Sequence, residues 1–213
     1  MTPKSLRILI TAGPTREPLD PVRFISNAST GAQGAALAEE ALRRGHAVDL
    51  VHGPIEVDIA PGAADHPVTT AAQMLERCLA LHPRADAVIG AAAVSDFRPR
   101  EVLESKKHRE GEGWRIDLVP TEDILLVLGR QKGSRIHAGF ALETEGFLEN
   151  AARKLRAKSL DWIVVNSPEA IGGSRNHYLI LGADGTSRDL GILTKAALAA
   201  EVLDRVEASI RNR

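Results

Sequence analysis

From residue 13 to residue 33 the chain reads GPTREPLDPVRFISNASTGAQ. With Thr11 just before it, this stretch gathers Thr15, Arg16, Arg23, Ser26, Asn27, Ser29 and Thr30 ahead of Gly31. Hydroxyls, an amide and guanidinium groups in one loop suit an anionic substrate. An arginine fork matches a phosphate by paired hydrogen bonds. An amide N–H, such as that of Asn27, can polarise a carbonyl and hold a tetrahedral oxyanion. The chain then enters a helix whose free backbone N–H groups favour anions. Gly31 allows close approach of a backbone, and Gly34, one turn on, allows the helix to pack near a sheet. Turn geometry would also select an asparagine at position 27, and helix–sheet packing alone accounts for a bare GxxG.

Further cations stand later in the chain. Lys106 and Lys107 lie in a charged segment, residues 98–113, where a solvated loop explains lysines equally well. Lys154 and Lys158 are one helical turn apart and share a face. Phe140 follows a strand end and fits either the core or the face of a base or sugar.

These groups need a scaffold. Leu6-Arg7-Ile8-Leu9-Ile10 reads as a buried strand, and about 17 residues separate it from the helix near Thr30, where a compact α/β unit uses roughly 2–6. Ligands bind in the crevice at the carboxyl ends of strands in open α/β sheets. Strands are expected at 6–12, 47–52, near 67–69, 86–94, 115–119, 135–140, 161–166, 177–182 and 188–193, and helices at 30–44, 71–82, 122–130, 143–159 and 195–211. Runs such as AVIGAAAV and WIVVN do not alternate, as expected of strands covered on both faces. The pattern predicts one α/β domain over residues 1–213. It is a modified doubly wound (Rossmann-like) parallel sheet with helices on both faces and a small β-hairpin extension turned at Asp184-Gly185. Residues 98–113 and 167–176 read as loops, the first of them mobile. No GxGxxG follows the first strand and no acid ends the second, which argues against a dinucleotide ribose clamp.

Composition excludes several classes. The 213 residues are 44% hydrophobic, 26% charged and only 3% aromatic, so the core must be aliphatic. Lys and Arg total 27 against 28 Asp and Glu, which offers no basic field for nucleic acid and no membrane-surface signal. No signal-peptide h-region or membrane-length apolar run is present, and Cys78 is the single cysteine; a cytoplasmic location is expected. Cys78 sits in a helical apolar pattern and reads as a core residue. The 7 histidines are scattered with no zinc-ligand spacing.

The opening, TAG-x-TREP-x-DPVRFISN-x-S-[ST]-G, resembles that of the phosphopantothenate–cysteine ligase (phosphopantothenoylcysteine synthetase) family of coenzyme A biosynthesis. AAAVSDFRP (residues 91–99), SKK (105–107), LVPTEDIL (118–125), GFALET (139–144), KLRAK (154–158) and VVN (164–166) follow in the family's order and span nearly the whole chain. The resemblance is to the stand-alone bacterial type, since the motifs begin at residue 8 and a flavoprotein decarboxylase domain, often fused upstream, is not expected. It implies an amide bond formed between 4′-phosphopantothenate and L-cysteine through an acyl-nucleotide, with CTP as co-substrate in bacterial members and ATP preferred by eukaryotic ones. The opening favours CTP, with Mg2+ carried on the triphosphate. A homodimer, and a separate flavoprotein decarboxylase acting next in the pathway, are implied partners.

By the same resemblance Arg23, Asn27 and Ser29 bind the acyl substrate, and Asn27 contacts the activated acyl group. Lys106, with Lys107 beside it, occupies the catalytic position on a closing flap. Gly13, Gly31, Asp96, Lys106, Thr121, Glu122, Asp123, Ile124, Phe140, Lys154 and Lys158 meet the nucleotide. Departures are Pro14 in the glycine pair, Ala32 for the usual lysine, Gln33 after it, and Glu104 for the first lysine of the flap. Two rival readings were open. A short-chain NAD(P) oxidoreductase needs a Tyr-x-x-x-Lys pair, but Gly182 stands four residues after Tyr178. A non-catalytic nucleotide-binding protein on the same scaffold is supported only by the missing flap lysine.

Overall fold

In a computed structural model, which describes residues 5–109, 111, 113–142, 147–166 and 173–213, the elements run as follows. They are β1 (Arg7–Ala12), β2 (Arg16–Pro18), β3 (Phe24–Ser26), α1 (Ala32–Arg43), β4 (Ala47–His52), β5 (Ala64–Pro67), α2 (Ala71–Leu81), β6 (Ala87–Gly90), β7 (Phe97–Pro99), β8 (Leu118–Pro120), α3 (Ile124–Gly129), β9 (Ile136–Leu142), α4 (Phe147–Ala157), β10 (Trp162–Asn166), β11 (Arg175–Gly182), β12 (Ser187–Thr194) and α5 (Lys195–Arg211).

β1 is buried on both faces, which is why its apolar run does not alternate. Ile8, Ile10 and Ala12 pack with Leu37 and Ala38 of α1 and Leu198 and Val202 of α5. Leu9, on the opposite face, joins Met74 and Cys78 of α2 and Leu128 of α3. A third cluster joins Ala151 and Leu155 of α4 to Ile163 and Val165 of β10. The main sheet has 8 strands in the order β12-β11-β10-β9-β6-β1-β4-β5. β1, β4, β5, β6, β9 and β10 are mutually parallel; β11 is antiparallel to β10, and β12 antiparallel to β11. The chain leaves β1 through α1 toward β4 and returns through α2 to β6 on the other side of β1. That reversal opens a crevice at the carboxyl ends of β1 and β6.

Local chemistry sets the helix starts. Thr70 and Gln73 form a reciprocal capping box at α2, and Thr194 caps α5 through the Ala197 N–H. α1 begins instead at Gly31, with φ +80° and no side-chain cap. A Cβ on Gly34 would lie 2.3 Å from the Ala12 Cβ, so α1 approaches β1 as closely as it does only because that position is glycine.

Several elements depart from expectation. The long first loop folds its own hairpin, β2 with β3. The strand expected near 67–69 ends at Pro67, and the one expected at 115–119 is the short β8, paired with β7 away from the main sheet. The C-terminal hairpin extends the main sheet and starts earlier, at Arg175; Asp184 accepts the Thr186 N–H at 2.9 Å in its turn. The first part of the expected 167–176 loop and residues 143–146 of the expected helix lie outside the described residues. The 98–113 segment is tethered where it was expected to be mobile: Leu103 N–H donates to the Leu19 carbonyl and Arg100 N–H to that of Asp117. Among the described residues no helix is long and apolar enough to cross a membrane. Cys78 is fully buried, and burial pushes its thiol up to about 12, an unreactive core group.

Candidate active site

An open cavity of about 570 Å³ lies over the carboxyl ends of β1, β6 and β9, a volume typical of small-molecule sites. Most of the expected residues line it: Asn27, Ser29 and Gly31 from the first loop, Asp96 after β6, Thr121, Glu122, Asp123 and Ile124 leading into α3, Phe140 on β9, and Lys154 and Lys158 on α4.

Asn27 is held from below. Its Nδ2 donates to the Ala93 carbonyl at 3.1 Å and the Val94 carbonyl at 3.0 Å. Nδ2 thus already has two acceptors, because the turn after β6 aims two carbonyl groups at the amide; a donor role toward a substrate would compete with them. Thr121 Oγ1 donates to the Ser95 carbonyl at 2.6 Å, and its N–H donates to the Asp96 carbonyl, so Asp96 and α3's entrance move as one piece. Asp123 caps α3 through the Leu126 N–H at 3.0 Å and pairs with Lys158 Nζ at 2.9 Å. Phe140 both packs on the core and faces the cavity.

Of the described residues expected at the site, Gly13, Arg23, Lys106 and Lys107 stand outside the cavity wall. Gly13, with φ +71°, packs beneath Gly31 and Ile55. Arg23 Nη1 pairs with Asp20 at 3.0 Å, and its Nη2 donates to the Lys107 carbonyl at 2.8 Å. Its fork is therefore turned to the protein's own chain. Lys106 and Lys107 are exposed.

Sequence reasoning missed the opposite wall, made by Asn166, Tyr178 and Lys195, with Gln33, noted only as a departure, beside them. Tyr178 is buried on β11. Gln33 Nε2 donates to the Lys195 carbonyl at 3.3 Å, and Lys195 Nζ donates to the Gly173 carbonyl; burial lowers its ammonium. No local motif marks these residues, because the fold alone brings residue 33 to residue 195. Lys154, Lys158 and Lys195 bring cations to the cavity lining, and Asp96, Glu122 and Asp123 bring carboxylates. Among the described residues no cluster of three metal-ligating side chains occurs.

A doubly wound sheet with a crevice at its reversal point, lined by a helix start and by lysines, defines a Rossmann-like α/β protein. Residues 4–210 match the DNA/pantothenate metabolism flavoprotein C-terminal domain, and the chain belongs to that family. It is 42% identical over 206 residues to the coenzyme A biosynthesis bifunctional protein CoaBC of Bacillus subtilis (strain 168), covering 94% of this chain and 51% of that protein. It is 40% identical over 208 residues to a cysteine/cysteine sulfinic acid decarboxylase of an unknown prokaryotic organism, covering 94% of this chain and 57% of the relative. The chain thus spans about half the length of the curated relatives it matches. The crystal structure of the C-terminal domain of a CoaBC protein superposes with a TM-score of 0.87 at 37% identity, covering 100% of this chain and 99% of that one.

Proposed function

We propose that the protein is a phosphopantothenate–cysteine ligase. The observation that carries this reading is the single crevice that brings Asn27 and the start of α1 into one cavity with the Asp123–Lys158 pair and Lys154. Family membership and the 42% identity to a bifunctional coenzyme A biosynthesis protein support it.

A carboxylate is a poor acyl donor, so the phosphopantothenate carboxylate oxygen first attacks the α-phosphorus of a nucleoside triphosphate, with CTP favoured over ATP. The bond to pyrophosphate breaks, leaving an acyl-nucleotide. The cysteine amine then attacks the acyl carbon, the nucleoside monophosphate leaves with the bonding pair, and the amine loses a proton. Lys154 and Lys158 would hold the nucleotide, with Asp96, Thr121 and Phe140 shaping its base and sugar end. Asn27 would orient the acyl group through Oδ1, and Ser29 and the N–H groups after Gly31 would receive phosphate oxygens. Magnesium rides on the triphosphate and offsets its charge, which requires few protein ligands. Arg23 would meet the acyl substrate's phosphate while still held by Asp20. Lys106 would swing in over the α-phosphate. A homodimer in the cytoplasm completes the proposal. A separate flavoprotein decarboxylase acting next in the pathway is part of the proposal.

The deciding measurement is pyrophosphate release with 4′-phosphopantothenate, comparing CTP with ATP, followed by cysteine-dependent release of the monophosphate. Release with CTP and not ATP is expected. Release with neither would overturn the ligase reading.

A further inference from the structure

Asp20 lies outside the cavity, yet its carboxylate joins the two parts of the molecule that the ligase reading needs to move together. Its side chain is 0% exposed. The two oxygens divide their partners. Oδ1 accepts the N–H groups of Val22 and Arg23, each at 2.8 Å, and so folds the turn between β2 and β3. Oδ2 accepts Arg23 Nη1 at 3.0 Å and the Lys107 N–H at 3.2 Å, across 87 residues of chain. Arg23 Nη2 closes the ring by donating to the Lys107 carbonyl at 2.8 Å. The guanidinium also lies 5.5 Å from the centre of the Trp114 ring, on the returning limb of the same segment. Burial works to raise the Asp20 carboxyl, and the N–H donors of Val22, Arg23 and Lys107, with the charge of Arg23, outweigh it and keep it ionised below the usual range.

The residues around Lys107 are otherwise exposed and polar, and the amides of Lys106 and His108 have no acceptor among the described residues. One carboxylate oxygen therefore fixes the height of the segment that carries both flap lysines. We propose that Asp20 is a positioning residue of the ligase reaction: through Oδ2 it holds Arg23 and Lys107 in one strap, and so sets where the Lys106 ammonium arrives over the crevice. This rests on the ligase reading for its catalytic consequence, though the strap itself does not. A misplacement of about 1 Å at a catalytic group is enough to cost on the order of 100-fold in rate.

Asp20→Asn separates the two oxygens. The amide keeps one oxygen for the Val22 and Arg23 N–H groups, while its NH2 would face the Arg23 and Lys107 donors and repel them. The turn should survive and the strap should open. Single-turnover acyl-nucleotide formation is expected to fall by about 10–100-fold, with the nucleotide KM changed less than about twofold. Trypsin should cut after Lys106 and Lys107 at least about fivefold faster, since cleavage tracks the open population. In the wild-type protein, hydrogen exchange should show the Lys107 amide protected relative to those of Lys106 and His108, a readout that needs neither a variant nor activity. Unchanged single-turnover rate in a folded Asp20→Asn protein would overturn the proposal, as would Lys107 exchanging at its neighbours' rate. A wild-type enzyme inactive with every nucleotide would end the ligase reading while leaving the Lys107 exchange result to decide the strap.

Discussion

Lys158 Nζ stands 2.9 Å from Asp123 Oδ2, while the other oxygen of Asp123 caps α3. One carboxylate thus ties Lys158, just past the end of α4, to the first turn of α3. A nucleotide phosphate that takes Lys158 must compete with a partner already in place. The pair is partly exposed, so its own contribution to stability is small.

Asp123→Ala should cost about 1 kcal/mol through loss of the cap and release Lys158 for a phosphate. A melting temperature lower by roughly 2–4 °C, together with unchanged or tighter nucleotide binding by calorimetry, is the expected result. Lys158→Gln should do the reverse: little change in melting and a raised nucleotide KM.

Asn27→Asp would place a carboxylate against the carbonyl groups of Ala93 and Val94, where two N–H donors now sit. From sequence alone this substitution would be expected to spare folding. The geometry instead gives a loss of about 1–2 kcal/mol for the two hydrogen bonds, besides a slower amide-forming step. Thermal melting separates the effects, because Asn27→Ser, which also lacks the two donors, should share the destabilisation without the added negative charge.

Lys106→Gln should lower the rate of acyl-nucleotide formation by about 10²–10³-fold, typical of removing one electrostatic group that acts in the transition state. CTP affinity should hardly change. Lys107→Gln should cost less, since the Lys107 backbone rather than its ammonium makes the strap contacts. Wild-type rates for both variants would make these lysines surface groups only.

Acid sensitivity should begin well above the carboxylate range. His137 and His82 meet through their Nε2 atoms at 3.1 Å in the interior, and the His137 Nδ1 is buried with no partner. Burial first, then the neighbouring His82, Lys132 and Arg135, pull His137 from 6.5 down to about 3, against the opposing charge of Asp161. The folded state keeps the neutral ring and the unfolded chain takes the proton, so stability is full above pH 6.5 and is lost as the pH falls toward 3. Between pH 7 and pH 5 the loss should be about 2 kcal/mol, or roughly 4–8 °C in melting temperature. Glu40, held down to about 2 by Arg43 foremost and Arg44 next, adds a separate loss only below about 4.5. A flat melting curve from pH 7 to 5, or one unchanged by His137→Gln, would contradict the assignment.

The parts of this fold legible in the sequence are those set by local periodicity. β1, α1, α2, β10 and α5 lie within a few residues of expectation, because their apolar runs carry the period of the element over a few turns. The hairpin of β2 and β3 was hidden by its brevity and by Pro18, which reads as loop. Asn27, Asp96 and the 121–124 segment could be named from motifs. That the Asn27 amide would be consumed by two carbonyl groups could not, since Ala93 and Val94 are more than sixty residues away. Arg23 illustrates the same limit: its type predicts a phosphate, and only the folded chain shows Asp20 and Lys107 already in its fork.

The bond from Gln33 to the Lys195 carbonyl spans 162 positions, and it gives the site an order in time. When β1, α1 and β6 have emerged from the ribosome, Asn27 and Gly31 are already made, but the wall carrying Tyr178 and Lys195 has not yet been synthesised. The nascent chain can therefore build a sheet long before it owns a complete cavity. Ligand capture waits for the C-terminal hairpin and α5, and a fragment stopped short of residue 195 would be a scaffold with one wall of its cavity missing.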